Sequence, residues 1–196
     1  MKYRLEHITP YIIAGGKSER MGRDKRTMVY KGMTLLERMC LLAEAATGKK
    51  PVLVGNNLPA EYRQRFETIR DAAPNKGPLA GLVSALEHNR ERWTSILPTD
   101  MPGLEAGILE KMYRLLEDNV EAVLLSRGGF IEPLAGIYFS GTAQFWRERL
   151  ERGELALIGG IYRLRYKVCE FKDNPQELMN INRQEDWEEN QAADSW

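Results

Sequence analysis

Residues 14–26 read A-G-G-K-S-E-R-M-G-R-D-K-R. Gly15 and Gly16 precede five cations, Lys17, Arg20, Arg23, Lys25 and Arg26, opposed only by Glu19 and Asp24. Glycines let the backbone turn sharply and bring amides close to a ligand. Amides and cations together at the end of a strand form an anion pocket. A tight strand-to-helix turn with a solvated charged surface has the same composition, so the segment needs support from elsewhere. Three common phosphate motifs do not supply it. Gly16-Lys17-Ser18 mimics the end of a P-loop, but the first glycine would fall at Tyr11. The dinucleotide and kinase glycine patterns fail because Lys17 and Arg20 stand where glycine is required.

Other residues able to do chemistry are scattered. Asp100 follows the apolar run Thr94–Leu97 and precedes Pro102. It suits a Mg²⁺ ligand, since Mg²⁺ takes one or two carboxylates plus substrate phosphates, and equally a helix N-cap. Asp71 follows a short extended piece and by itself reads as a turn or cap residue. Asn180 and Asn182 alternate along an extended stretch and point the same way, as a pair of donor–acceptor amides or as an ordinary turn. Glu132 and Pro133 open another strand, as a polar bulge with an edge proline or as part of a site. Cys40 and Cys169 form no C-x-x-C, and His7 and His88 stand alone. Cysteine-rich zinc sites and Ser-His-Asp or Cys-His mechanisms therefore lack members. The chemistry falls to Lys, Arg, Asp, Asn and backbone amides, which suits phosphates.

These residues need a frame. Buried strands are expected at Tyr11–Ala14, Val52–Val54 and Thr94–Leu97, with a short extended piece at Thr68–Arg70. Helices are expected at Thr34–Thr47, after Pro59, and over Pro78–Asn89, Leu104–Glu117, Thr142–Glu151 and Gln184–Gln191. Thr34 and Glu37 have capping-box spacing, and Gly48 sits where a C′ glycine belongs. Ala122–Ser126 and Ile131–Phe139 flank Arg127-Gly128-Gly129 as a hairpin, and Tyr166–Phe171 is a further strand. Alternating strands and helices imply an α/β domain with a mainly parallel sheet, and the hairpin adds an antiparallel member. Ligands then sit beyond the strands' carboxyl ends, so the loops after Ala14, Val54, Arg70, Leu97 and Ser126 should line the site.

Composition limits the partners. The chain has 196 residues, with 28 basic and 28 acidic side chains. That length suits one domain, read as 1–196. Net neutrality argues against nucleic acid as a main partner. No run reaches a membrane span and the start shows no secretory h-region, so no membrane partner and a cytoplasmic location are expected.

The stretch A-G-G-x-S-x-R-M-G-x-D-K resembles the nucleotidyltransferase signature of molybdenum cofactor guanylyltransferases. The segments G-P-L-A-G at 77–81, P-T-D-M-P at 98–102, E-P-L-A-G-I-Y at 132–138 and Asn180-Ile-Asn182 before an acidic helix come in the same order. Together they cover residues 11 to about 187. The resemblance implies a three-layer, Rossmann-like nucleotidyltransferase domain that transfers GMP from GTP to molybdopterin. It implies GTP at Ile13, Ala14, Gly15, Gly16, Lys25, Asp71 and Asp100, with Lys25, Asp100 and Arg20 as the catalytic set. It implies Mg²⁺ on Asp100 and molybdopterin at Asn180 and Asn182. It admits transient contacts with other cofactor-biosynthesis proteins or molybdoenzymes. A-G-G at 14–16 with G-P-L-A-G follows the guanine pattern of the family. A CTP-dependent molybdopterin cytidylyltransferase, or another transferase of this fold, is the near alternative. A nucleotide-binding protein without turnover is the distant one, disfavoured by Asp100. Two places depart from the pattern. Gly55 stands where many members carry an asparagine, leaving Asn56 or Asn57 to make any such contact. Leu155-Ala156 replaces basic residues suited to an anionic pterin, with Arg163 and Arg165 as nearby substitutes.

Overall fold

The computed structural model describes residues 7–15 and 24–171, and of Lys25 only the backbone. The expected helix at 184–191 lies outside them. The strands are β1 (Ile8–Ile13), β2 (Val29–Tyr30), β3 (Met33–Thr34), β4 (Val52–Val54), β5 (Thr68–Ile69), β6 (Trp93–Pro98), β7 (Ala122–Arg127), β8 (Phe130–Phe139) and β9 (Tyr166–Phe171). The helices are α1 (Leu35–Thr47), α2 (Ala60–Arg65), α3 (Pro78–His88), α4 (Ala106–Arg114), α5 (Ala143–Glu151) and α6 (Leu157–Ile161). Seven strands form one sheet in the order β5-β4-β1-β6-β8-β7-β9, while β2 and β3 pair separately. Only β8 runs antiparallel to its sheet neighbours, β6 and β7; the other pairings in that sheet are parallel. The sheet is mixed and mainly parallel, as expected.

The central strand shows why the layers form. β1 is buried nearly throughout, and its side chains alternate between two cores. Ile8 and Ile12 pack with Leu36, Met39 and Cys40 of α1 and with Ile108, Leu109 and Met112 of α4. Tyr11 and Ile13 pack on the opposite face with Leu79, Leu82 and Val83 of α3, Trp146 of α5 and Leu157 of α6. Fully burying one such aliphatic side chain stabilises the fold by roughly 1.5–3 kcal/mol. The same period-2 rule, applied to each central strand, places helices on both faces.

Several boundaries differ from expectation. β1 begins at Ile8 rather than Tyr11, because Pro10, which lacks an amide donor, sits inside a central strand opposite Ser95. The predicted helix 104–117 is regular only over Ala106–Arg114. The helix predicted from Thr142 starts at Ala143, behind a 3-10 turn at Ser140–Thr142. The two-residue strands β2 and β3 and the five-residue α6, whose Gly159-Gly160 lowers helix propensity, carry too little pattern to read. The start of α1 is as expected: Thr34 Oγ1 accepts from the Glu37 amide at 3.1 Å. At its end, Gly48 is left-handed and donates to the Glu44 carbonyl.

Candidate functional site

β1, β4, β5 and β6 run parallel and end on one rim, where a cleft of about 1640 Å³ opens. Its floor is backbone brought unusually close. The Ala14 amide donates to the Val54 carbonyl at 2.8 Å, and Gly55 donates to Ile69 at 3.0 Å. A side chain at Gly55 would place its Cβ 2.8 Å from the Gly15 nitrogen. Gly55 is therefore required by the approach of two strand ends. Asn56 and Asn57 both line the cleft, and Asn56 Nδ2 reaches Asp71 Oδ2 at 3.5 Å.

Asp71 sits between two glycines. A Cβ at Gly15 would lie 2.7 Å from Asp71 Oδ2, and one at Gly81 would lie 3.5 Å from Oδ1. The G-P-L-A-G segment thus starts α3 and lets its first turn close on the carboxylate and on Ile13. Ser84 fixes this junction, accepting from the Ala72 amide at 2.6 Å and donating to the Ala80 carbonyl at 2.9 Å. Burial pushes the Asp71 carboxyl above the usual aspartate value. A half-buried carboxylate with one weak donor can accept hydrogen bonds from a ligand that replaces lost water.

Asp100 stands just past β6, with Thr99 and Asp100 lining the cleft opposite the Gly15 turn. Among the described residues no group of three or more His, Cys, Asp or Glu side chains could hold a metal by itself. The donors offered here are hard carboxylate oxygens in small number. That set fits a Mg²⁺ ion that completes its shell with substrate phosphate and water.

The strand at Phe130–Phe139 contributes through an irregularity. Leu124 pairs with Gly136, but the next residue, Leu125, pairs with Glu132. Residues 133–135 bulge out of the ladder, and Leu134 lines the cleft. Tyr138 Oη donates to the Pro133 carbonyl at 2.5 Å and holds the bulge. Glu132 pairs with Arg127 at 3.5 Å. The strand lies inside the sheet, so Pro133 is tolerated by the bulge and not by an edge.

Sequence-predicted residues Ile13, Ala14, Gly15, Asp71 and Asp100 meet in this one cleft. The backbone of Lys25 belongs to a 3-10 turn, Lys25–Thr27, and its neighbours Asp24 and Arg26 line the same cleft. Gly16, Arg20, Asn180 and Asn182 lie outside the described residues. Two expectations are corrected. The loop after Ser126 is not in the lining, because the β7–β8 hairpin presents Leu134 instead. Arg165 precedes β9, at the amino end of that strand, and is held by the Asn119 carbonyl and Glu121. It is thus placed away from the carboxyl rim. Sequence reading missed Ser84 and Leu134, and counted Arg26 as a ligand cation; of the two asparagines it left open after Gly55, both line the cleft and Asn56 reaches Asp71. The i, i+2 spacing of Asp24 and Arg26 was the available signal that these two pair.

Residues 11–165 match the model of the MobA-like NTP transferase domain. The molybdenum cofactor guanylyltransferase of Xanthomonas euvesicatoria is 37% identical over 187 residues, spanning 91% of this chain and 92% of that protein. The crystal structure of molybdopterin-guanine dinucleotide biosynthesis protein A from Archaeoglobus fulgidus superposes with a TM-score of 0.77 at 21% identity, over 95% of this chain and 98% of that one. A manganese complex of Rv0371c from Mycobacterium tuberculosis shares the fold, with a TM-score of 0.67 at 12% identity, over 93% and 96% of the two chains. With a match over most of its length and its described motif residues meeting in one cleft, the chain belongs to the MobA-like NTP transferase family.

Proposed function

We propose that this nucleotidyltransferase, acting as one domain over residues 1–196, transfers GMP from GTP to molybdopterin in the cytoplasm. The products are the guanine dinucleotide form of the cofactor and pyrophosphate. The observation that carries this reading is the meeting of Ile13–Gly15, Asp71, Gly77–Pro78 and Asp100 in one cleft. The 37% identity to a named guanylyltransferase over nine-tenths of both chains supports the choice of substrates.

The terminal phosphate oxygen of molybdopterin attacks the α-phosphorus of GTP. The bond from that phosphorus to the α,β-bridging oxygen breaks, and pyrophosphate leaves with the electron pair. The nucleophile is already an anion, so no general base is needed. The protein's contribution is positioning and charge neutralisation. The backbone at Ala14, Gly15 and Gly16, with Lys25 and Arg20, holds the triphosphate, and Asp71 faces the nucleotide. Asp100 would hold Mg²⁺, which neutralises charge developing on the phosphates when bound.

The late residues Asn180 and Asn182 serve the pterin. β9 runs parallel to β7 and in the same sense as β1, so Phe171 leaves the sheet on the cleft side. Among the described residues no helix is long and apolar enough to cross a membrane.

The test is pyrophosphate release with molybdopterin, Mg²⁺ and each nucleotide in turn. GTP should support release well above CTP, UTP and ATP. Preference for CTP would replace the guanylyl reading with the cytidylyl one. No release with any nucleotide, despite tight GTP binding, would leave a carrier without turnover.

A further inference from the structure

Arg26 was counted among the cations that could meet a phosphate, yet its guanidinium is already engaged. Nε lies 2.8 Å from Asp24 Oδ1 and 3.0 Å from Oδ2, and Nη2 lies 2.6 Å from Oδ2. The Arg26 amide also donates to Asp24 Oδ1 at 3.0 Å. On the other side of the fork, Nη1 points at two main-chain oxygens, Asn56 at 3.3 Å and Ala14 at 3.5 Å. The side chain is only 15% exposed. One planar group thus joins three pieces of chain: the turn at 24–27, the end of β1 and the loop after β4. The turn is closed again by Thr27, whose amide and hydroxyl both donate to the Asp24 carbonyl.

Lys25 sits between the two partners of this clamp. With Asp24 and Arg26 fixed on either side, the main chain of Lys25 is tethered through the Arg26 guanidinium to the carbonyls of Ala14 and Asn56. We infer that Arg26 is a positioning residue for the transfer reaction, setting where Lys25 meets the triphosphate while making no phosphate contact of its own. This rests on the reading of Lys25 as a triphosphate ligand. A lysine at position 26 would keep the charge but not the fork, since an ammonium cannot bond a carboxylate side-on and two carbonyls in one plane.

The test is a double-mutant cycle on GTP affinity with Mg²⁺ present, using Lys25→Ala, Arg26→Ala and the double variant, with thermal midpoints alongside. Arg26→Ala should weaken GTP binding about tenfold or more, the scale of losing charge-assisted hydrogen bonds. In the Lys25→Ala background it should weaken binding little further, because its effect passes through Lys25. Arg26→Lys should fail to restore affinity. It also replaces Arg26→Ala in the cycle if the alanine variant does not fold. Additive losses, or full rescue by lysine, overturn the inference while leaving Lys25 a ligand. If Lys25→Ala leaves GTP affinity intact, the Lys25 reading falls and the inference falls with it.

Discussion

Two arginines of this chain are bound in nearly the same way. Arg26, in the cleft, holds Asp24 and the carbonyls of Ala14 and Asn56. Arg149, in α5, holds Glu154 at 2.6 Å and the carbonyls of Glu154 and Ala156. Their acidic partners are equally open to water, at 37% and 38% exposure. The guanidiniums differ in what surrounds them. Arg149 is packed beside the Phe145 ring and under Gly160, where a methyl group would run into Trp146. Its Nε is buried without a hydrogen-bond partner. Arg26 has every part of its fork directed at an acceptor and faces the cleft. One device has been put to two uses: Arg149 is a packed core group that ties α5 to the chain entering α6, while Arg26 orders strand ends around a ligand. The comparison teaches that a salt bridge is read by what its carbonyl partners belong to, more than by its own geometry.

That contrast can be broken by experiment. The largest effect should come from Asp100→Asn, on the cleft side. It removes the charge proposed to hold Mg²⁺ and should cut pyrophosphate release at least about a hundredfold, the scale of losing one electrostatic transition-state contact. The thermal midpoint should barely move. Near wild-type turnover at limiting Mg²⁺ would remove Asp100 from the site.

Arg149→Met should behave in the opposite manner. Stranding a fully buried charge costs roughly 3–5 kcal/mol, but the Glu154 carboxylate keeps contact with water and with Arg152. A loss of about 2 kcal/mol is expected, equivalent to a fall of about 4–8 °C for a domain of this size. The GTP dissociation constant should be unchanged in the folded variant. A variant that keeps its midpoint and loses nucleotide affinity would merge the two regions into one site.

The smallest effect sharpens the comparison from the acid side. Arg26 hydrogen bonds hold the Asp24 carboxyl below the usual aspartate value. A carboxyl lowered in the folded state contributes fully above its unfolded pKa of about 4, and that contribution is lost as pH falls through the folded value. The gap in thermal midpoint between wild type and Asp24→Asn, a few degrees at most, should therefore close as pH drops from about 5 towards 3. A gap that widens in acid would show that Asp24 is not stabilised as the anion.

Much of the cleft was legible because its parts are local. Y-I-I-A before Gly15, V-L-V before Gly55, and the apolar run before Pro98 each announce a buried strand and its end, and alternating elements place those ends together. Asp100 could be read from its place after such a run. What escaped depends on distance across the sheet. Gly55 looked like a lost asparagine until the Gly15 backbone was seen to need its space. Leu134 enters the cleft only because three residues leave the ladder, which no periodicity records. Ser84 reads as one more polar residue in a helix, yet it accepts the Ala72 amide next to Asp71. Arg26 carries a charge that suggests an anion, and its carbonyl partners are known only once strands β1 and β4 are side by side.

The pairing of β1 bears on how the protein is made. Its first neighbour, β4, follows early in the chain, but its other neighbour is β6, and Ile8 lies opposite Trp93. At roughly 5–20 residues per second, a ribosome reaches Trp93 on the order of ten seconds after releasing β1 into the exit tunnel. Through that interval the future middle of the sheet is an apolar strand with one side open, a surface that invites wrong pairing. The turn after β1 is thus made well before the strand that frames its second side. For a nascent chain, GTP binding at this cleft would report that β6 has already been made and has taken its place beside β1.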